Sequence, residues 1–145
     1  MEDKIQNYRT IDTQGKSQID LILQVYDGAL GSLRQAKENY VAGDNNAGYE
    51  LLEKTKKFVT HLYTTLNMEE GGEIAENLAK LYAYIISQIC ILEATKDSSQ
   101  IDDIIIILSE LREGWQSIKD SDQAQEETVE KKSPKLVKNE ISITG

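Results

Sequence analysis

Apolar residues recur every three or four positions along most of the chain, which is the spacing of one face of an α-helix. In the first such segment this stripe comprises Ile19, Ile22, Tyr26, Ala29, Leu33, Ala36 and Tyr40. Ser17, with Asp20 three residues later, has the pattern of a capping box at a helix start. Gly43 and Asp44 predict the end of this helix and the beginning of the next.

Three further segments repeat the pattern after short polar breaks. The second stripe comprises Ala47, Leu51, Thr55, Phe58, Leu62 and Leu66. Gly71 and Gly72 separate it from the third stripe, which comprises Ile74, Leu78, Leu81, Ile85, Ile89 and Leu92. Asp97, Ser98 and Ser99 precede the fourth, which comprises Ile101, Ile104, Leu108, Leu111, Trp115 and Ile118. The only proline is Pro134, so proline interrupts none of the four predicted helices.

Short connections make consecutive helices antiparallel neighbours. The sequence therefore predicts an all-α fold, an antiparallel up-down four-helix bundle, over residues 17–119. Residues 1–16 have few large apolar side chains, three positions apart, and predict a flexible N-terminal cap segment; these are Ile5, Tyr8 and Ile11. Residues 120–145 are mostly polar and predict a disordered C-terminal tail, because such a segment buries too little apolar surface to offset its ordering entropy.

Several apolar residues lie off the main helix faces. They are Leu21, Leu23, Leu30, Leu52, Val59, Ile86 and the run 105–107. A bundle helix needs an apolar face only about 100° wide. The surplus predicts either a thick core or a docking surface for a partner helix or an extended peptide. Gly28 and Gly31 lie inside the first predicted helix, where each glycine lowers helix stability by about 1 kcal/mol relative to alanine. Two alternatives would compensate this loss: close approach of a neighbouring helix, or a groove in which another chain packs.

Composition excludes several kinds of site. The chain has 16 Lys and Arg against 25 Asp and Glu, a net charge of −9, which argues against nucleic-acid partners and against docking on anionic membranes. One cysteine and one histidine rule out an intrachain disulfide and a Cys/His zinc site within the chain. Glu-x-x-His pairs and phosphate-binding loops are absent. We therefore predict no catalytic residues, no cofactor, no metal and no enzymatic activity. His61 is expected to be a boundary residue that faces water or a neighbouring helix, and Cys90 to be a buried, inert thiol.

The N-terminus and the apolar runs bear on localisation. Met1–Lys4 is polar, without the apolar region of a secretory signal. The longest apolar run, Ile104–Leu108, is far shorter than a membrane span. The sequence predicts a cytoplasmic protein without membrane insertion.

Three local sequences resemble one family. The segment Leu21–Leu30, LILQVYDGAL, resembles the "LI-x-ML-YDG-A-hydrophobic" segment of FliS-type flagellar export chaperones. The segment from Leu66, LNMEEGGEIAENLAKLY, resembles their "L-x-ME-x-GGEIA-x-NL-x-x-LY" segment, and Leu111–Trp115 resembles their "LREAW". Tyr8 matches a tyrosine near their N-terminus. Departures are Gln24-Val25 in place of Met-Leu, Gly114 in place of alanine, and Gln18 where the family often has proline.

The resemblance implies a function. Such chaperones are antiparallel helical bundles that bind the disordered C-terminal segment of flagellin in the cytoplasm, prevent its premature polymerisation and keep it competent for flagellar type III secretion. It also admits export-gate or regulatory flagellar proteins as further partners. We expect client contacts among Ile5, Tyr8, Ile22, Leu23, Tyr26, Gly71, Gly72, Ile74, Asn77, Leu78 and Leu81, although Ile22, Tyr26, Leu78 and Leu81 also fit core positions. The N-terminal turn with Ile5 and Tyr8 is expected to cover an apolar site.

A second class of function fits the same residues. A helical-bundle adaptor or regulatory protein would use the wide apolar stripes to bind a folded partner or a second copy of itself. The sequence leaves the oligomeric state open.

Overall fold

The computed structural model describes the backbone of residues 17–135 and the side chains of residues 17–121. The helices in this range are α1, Gln18–Val41; α2, Asn45–Thr64; α3, Met68–Thr95; and α4, Ile101–Lys135. A 3-10 turn, Ser98–Gln100, precedes α4. Because each connection is only a few residues long, consecutive helices run antiparallel. The predicted all-α, antiparallel bundle is confirmed.

Polar caps fix where the helices begin. The Ser17 hydroxyl accepts a hydrogen bond from the Asp20 backbone N–H at 3.1 Å, and the Asp20 carboxylate accepts one from the Ser17 N–H at 3.3 Å. This is the predicted capping box. Asp44 and Asn67 cap α2 and α3 through their side chains. The predicted break at Gly43 and Asp44 is confirmed.

The connection between α2 and α3 lies before the two glycines that were expected to form it. The chain turns at residues 65–67, and α3 already begins at Met68. Gly71 donates its N–H to the Asn67 carbonyl at 2.7 Å, as in a helix. Gly72 has φ 55° and ψ −132° and kinks α3 there. The glycines therefore bend a helix that the Asn67 cap has already started.

The core takes up much of the surplus apolar surface. Leu23 and Leu30 on α1 are 5% and 4% exposed, and Leu52 and Val59 on α2 are fully buried. At these four positions the thick-core alternative holds. The buried face of α1 comprises Ile19, Ile22, Leu23, Tyr26, Ala29, Leu30, Ser32, Leu33, Ala36 and Tyr40.

Two aromatic rings on bare glycines bring α1 and α2 close together. A Cβ on Gly28 would lie 2.6 Å from Cζ of Phe58, and a Cβ on Gly48 would lie 2.7 Å from the Tyr40 ring. At Gly28 the close-approach alternative is confirmed. At Gly31, apart from the adjacent residues and the backbone of α1 itself, no atom of the described residues lies within 4 Å of the corresponding position.

Hydroxyl pairs join α1 to α2 and α3 inside the core. The Tyr26 and Tyr82 hydroxyl oxygens lie 2.5 Å apart, and those of Ser32 and Thr55 lie 2.6 Å apart. Pairing gives these buried polar groups the partners they would otherwise lose on leaving water.

Ion pairs place the first part of α4 beside α1. The Lys37 ammonium lies 2.8 Å from the Asp102 carboxylate, and the Arg112 guanidinium binds the Asp27 carboxylate. The chain divides into two compact units between Glu113 and Gly114.

Helix α4 continues to Lys135, past residue 119, where we predicted the bundle to end. The added stretch is rich in Gln, Glu and Lys, which are good helix formers and explain how a polar segment takes this backbone. Within the second unit, the Gln116 amide donates to Asp120 at 3.1 Å. Residues 136–145 lie outside the described range, and the division into cap, bundle and tail stays a prediction.

Candidate functional site

An apolar stripe runs along α3 on a face next to the core face. Ile74, Tyr84 and Ile91 are 37%, 51% and 46% exposed, and Leu78 and Leu81 between them are half-buried. These positions are three, four or seven residues apart, so they share one side of the helix. The bundle therefore leaves apolar side chains partly open to solvent along α3, with Ser87 and Gln88 between Tyr84 and Ile91.

This stripe exists because α3 packs through other residues. Its buried side chains are Ala75, Tyr82, Ile85, Ile89 and Leu92. The predicted core stripe of α3 agrees with these residues in its second half, but in its first half Ile74 is exposed and Leu78 and Leu81 are only half-buried. The difference arises at Tyr82, whose hydroxyl bonds Tyr26 and so allows a tyrosine in the buried row.

The hydropathy of α3 also indicates that this helix has apolar surface beyond what the core buries. An 18-residue window of this helix has a mean hydropathy of 1.2, which by length and composition alone would suffice to cross a membrane. Core helices of water-soluble proteins reach this value too, but then the window is mostly buried. Here 22% of it is buried, so α3 carries more apolar surface than the bundle uses.

The stripe leads into a cleft between α3 and α4. The cleft has a volume of about 260 Å³ and is lined by Tyr84, Gln88, Leu92, Gln100, Asp103, Ile104 and Ile107. Four of its seven lining residues are aliphatic or aromatic, and with two amides and a carboxylate among the others, polar atoms make up the larger part of its exposed surface. Nearby on α4, Ile106 is 55% exposed. An apolar side chain of a partner could enter the cleft while the amides bond to its backbone.

The predicted client-binding residues separate into three groups. Ile74, Asn77, Leu78 and Leu81 lie on or beside the exposed stripe. Ile22, Leu23 and Tyr26 are buried in the core at 7%, 5% and 0% exposure, so their side chains offer no surface in this conformation. Gly71 and Gly72 lie at the kink before Ile74. Ile5 and Tyr8 lie outside the described residues. The binding role of all eleven stays a prediction.

The sequence reasoning missed the α4 side of the site. On α4, Ile104 and Ile107 line the cleft opposite Tyr84 and Gln88 of α3, and none of the four is among the predicted client contacts. One signal is present in the sequence: the isoleucine run 105–107 spans more than one helix face. Which of these isoleucines faces α3 depends on helix rotation, which the pattern alone leaves undetermined.

A polar cluster occupies the other side of α3, where it meets α2. The Lys56 ammonium lies 2.6 Å from Glu53 and 3.0 Å from Glu93. Burial, and after it the neighbouring Glu53, raise the pKa of Glu93, whereas the neighbouring Glu93 and Lys56 side chains lower the pKa of Glu53. A shallow groove beside it, of about 500 Å³, is lined by Glu53, Lys56, Lys57, Thr60, His61, Thr64 and Ile86.

Cys90 and His61 both face solvent. The prediction of a buried thiol at Cys90 is wrong: it is exposed, with the Lys56 ammonium 3.7 Å from its sulfur. The reason is helix rotation, since the buried row of α3 passes through Ile89 and leaves Cys90 about 100° away. His61 is exposed, as expected. In the part of the chain that the structure describes, no three His, Cys, Asp or Glu side chains are placed to hold a metal ion.

Comparison with known proteins bears on the identity of this bundle. The sequence profile of the family described as "Flagellar protein FliS" matches residues 1–134. The chain is 30% identical to the flagellar secretion chaperone FliS of Vibrio cholerae over 81% of its length and 90% of that protein's. It is 34% identical to FliS of Salmonella typhimurium, covering 73% of this chain and 79% of that one, and 31% identical to FliSB of Pseudomonas aeruginosa, covering 68% and 78%.

A solved structure supports the fold. A bacterial flagellar chaperone crystal structure superposes with a TM-score of 0.70 at 24% identity, covering 83% of this chain and 98% of that one. The profile match spans nearly the whole chain, and the relatives are matched over most of their lengths. The chain therefore belongs to the FliS family of flagellar secretion chaperones.

Proposed function

We propose that this chaperone binds the disordered C-terminal segment of flagellin in the cytoplasm, prevents its premature polymerisation and keeps it competent for flagellar type III secretion. The observation that carries the proposal is the exposed stripe on α3, from Ile74 to Ile91, together with the cleft it enters. A long apolar surface suits an amphipathic segment that gains structure on binding. The Vibrio and Salmonella relatives, named as secretion chaperones, support the same role.

Binding in this scheme is coupled to folding of the client. A disordered segment loses conformational entropy when it is ordered, and burial of apolar side chains along α3 and in the cleft offsets that loss. The step needs no covalent chemistry, cofactor or metal, so the proposal includes no enzymatic activity. Export-gate and regulatory flagellar proteins are further proposed partners; nucleic acid and membrane are not.

The N-terminal segment is proposed to compete with the client. It joins α1 at Ser17, which lies at the same end of the bundle as the start of α3, because consecutive helices are antiparallel. Ile5 and Tyr8 are the apolar side chains with which it would cover the stripe. Deleting residues 1–12 should then raise the affinity for the client, and an unchanged affinity would contradict the cover.

Titration calorimetry tests the main proposal. We expect the full chain to bind a peptide with the flagellin C-terminal sequence of the same organism at 1:1, with a negative heat-capacity change and a gain of helix in circular dichroism. Tyr84→Glu should weaken binding about tenfold, because it places a charge in the apolar site. Tyr63→Glu is the matched control, since Tyr63 lies on α2 and is 45% exposed, close to the 51% of Tyr84.

Two results would overturn the proposal. The first is an absence of peptide binding up to millimolar concentrations, which would favour an adaptor that binds a folded partner or itself. The second is an equal loss of affinity in the Tyr84 and Tyr63 variants, which would place the client elsewhere on the bundle.

A further inference from the structure

Three consecutive residues of α1 each contact a different helix. Tyr26 pairs its hydroxyl with Tyr82 on α3, and the bare backbone of Gly28 receives the Phe58 ring from α2. Asp27 binds Arg112 on α4. Packing in the core explains why Tyr26 and Gly28 occupy these positions. The Asp27–Arg112 ion pair lies at the surface, so core packing does not explain its role.

The geometry of this pair is that of a two-pronged contact. Arg112 donates through Nε to one Asp27 oxygen at 2.5 Å and through Nη2 to the other at 3.3 Å. A planar guanidinium bound at both carboxylate oxygens fixes direction as well as distance. The Arg112 and Asp27 side chains are 30% and 57% exposed, so the pair adds little to global stability.

A second pair with the same layout lies further along the two helices. The Lys37 ammonium lies 2.8 and 2.9 Å from the two Asp102 oxygens. Ten residues separate Asp27 from Lys37 on α1, and ten separate Asp102 from Arg112 on α4. Both spans are about 15 Å at the rise of an α-helix. The two pairs therefore fix one antiparallel register between α1 and α4.

The cleft wall lies between the two pairs. Asp103, Ile104 and Ile107 line the α3–α4 cleft, and all three fall between Asp102 and Arg112. A shift of α4 along or away from α1 would move these side chains relative to Tyr84 and Leu92 on α3. None of the four paired residues lines the cleft itself.

We propose that Asp27–Arg112 and Lys37–Asp102 are positioning pairs that hold α4 against α1 and thereby set the shape of the α3–α4 cleft for its client. This inference rests on the proposed function, because the cleft is where the client peptide is proposed to bind. Asp27 and Arg112 belong to two family-like segments that are far apart in sequence. In this proposal they act together, because their ion pair fixes the position of α4.

Charge reversal tests the inference. Asp27→Arg and Arg112→Asp should each weaken binding of the flagellin C-terminal peptide about fivefold, because each places like charges together. The double variant restores an opposite-charge pair and should return the affinity to within about twofold of the wild type. Glu110→Arg and Arg34→Asp are controls with the same charge changes; both residues are exposed and form no ion pair among the described residues.

A second readout reports on α4 without the client. Trp115 is the only tryptophan, lies three residues after Arg112 and is 8% exposed. Its emission should shift to the red in Asp27→Arg, return in the double variant and stay unchanged in Glu110→Arg. Circular dichroism and urea unfolding show that each variant compared is folded.

The outcomes separate this inference from the proposed function. If the wild type fails to bind the peptide, the proposed function falls, while Trp115 emission still decides whether the pairs position α4. If the wild type binds and the reversals bind equally well, or the double variant recovers nothing, the inference is overturned. A loss of affinity with unmoved Trp115 emission also overturns it, since the charges would then act on the client directly.

Discussion

At the scale of single residues, the glycines of α1 are of two kinds. Gly28 lies under the Phe58 ring, whereas Gly31 faces open space among the described residues. Gly28→Ala should lower the free energy of unfolding by about 1 kcal/mol, because a Cβ 2.6 Å from the ring forces a shift that outweighs the gain in helix propensity. Urea unfolding measures the change.

Gly31→Ala is the matched control for that substitution. Alanine replaces glycine in the same helix with no neighbour to displace, so the free energy of unfolding should rise by up to about 1 kcal/mol. Opposite signs for the two variants are the expected result. Equal effects would contradict the packing of Phe58 on Gly28.

Glu93 makes stability depend on pH. One of its oxygens bonds Lys56, and the other is buried with no hydrogen-bond partner among the described residues. Burial raises the pKa of Glu93 above its ordinary value of 4.5. The folded state therefore holds the proton more tightly than the unfolded state, and the stability this gives is lost as pH rises through the folded pKa.

Glu93→Gln should therefore match the wild type at pH 3 and be the more stable of the two at pH 7. Glu53→Gln is a control for which the effect on stability should have the opposite sign. The pKa of Glu53 is lowered from 4.5, so its carboxylate stabilises the folded state above that pH. That variant should match the wild type at pH 3 and be less stable at pH 7. Parallel pH profiles of unfolding for the two variants would refute the assignment.

At the scale of helices, the apolar spacing predicted α1 well and α2 and α3 less well. On α1 the predicted stripe is the buried face. On α2 the buried row passes through Leu52 and Val59, one position on from the predicted Leu51 and Phe58. Where apolar residues are adjacent in pairs, the period fixes the helix but leaves its rotation undetermined, and packing of Phe58 on Gly28 selects the rotation.

The rotation of α3 decides where the candidate site lies. Tyr82 takes a buried position because Tyr26 satisfies its hydroxyl, a pairing between residues 56 positions apart. Such a pairing leaves no mark in the local pattern. Ile74, Leu78 and Leu81 could therefore be predicted as apolar helix residues, and as client contacts through the family resemblance, but not as residues that the core leaves exposed or half-buried.

The kink in α3 gives a prediction for that helix. At φ 55° and ψ −132°, Gly72 has a conformation that only glycine adopts readily. Gly72→Ala should therefore cost about 1–3 kcal/mol in the free energy of unfolding, measured by urea titration. Gly71→Ala is the control, because Gly71 is not among the positive-φ glycines. A loss at Gly71 equal to that at Gly72 would contradict the kink.

At the scale of the whole molecule, the two sides of α3 differ in character. One side carries the apolar stripe and cleft, and the other carries Lys56 between two glutamates on the α2 side. A net charge of −9 disfavours nonspecific self-association, while the apolar face stays available to a client. The helical fold could be predicted from sequence; the cleft could not, since it depends on how the neighbouring helices α3 and α4 are rotated about their axes.

The central claim is that the client lies along α3 and enters the α3–α4 cleft. Site-specific photo-crosslinking tests it most directly, with a benzophenone amino acid placed at Tyr84 in one variant and at Tyr63 in another. We predict that the flagellin C-terminal peptide crosslinks efficiently to position 84 and only at background level to position 63, as read by mass spectrometry. Crosslinking at position 63 with none at position 84 would contradict the account.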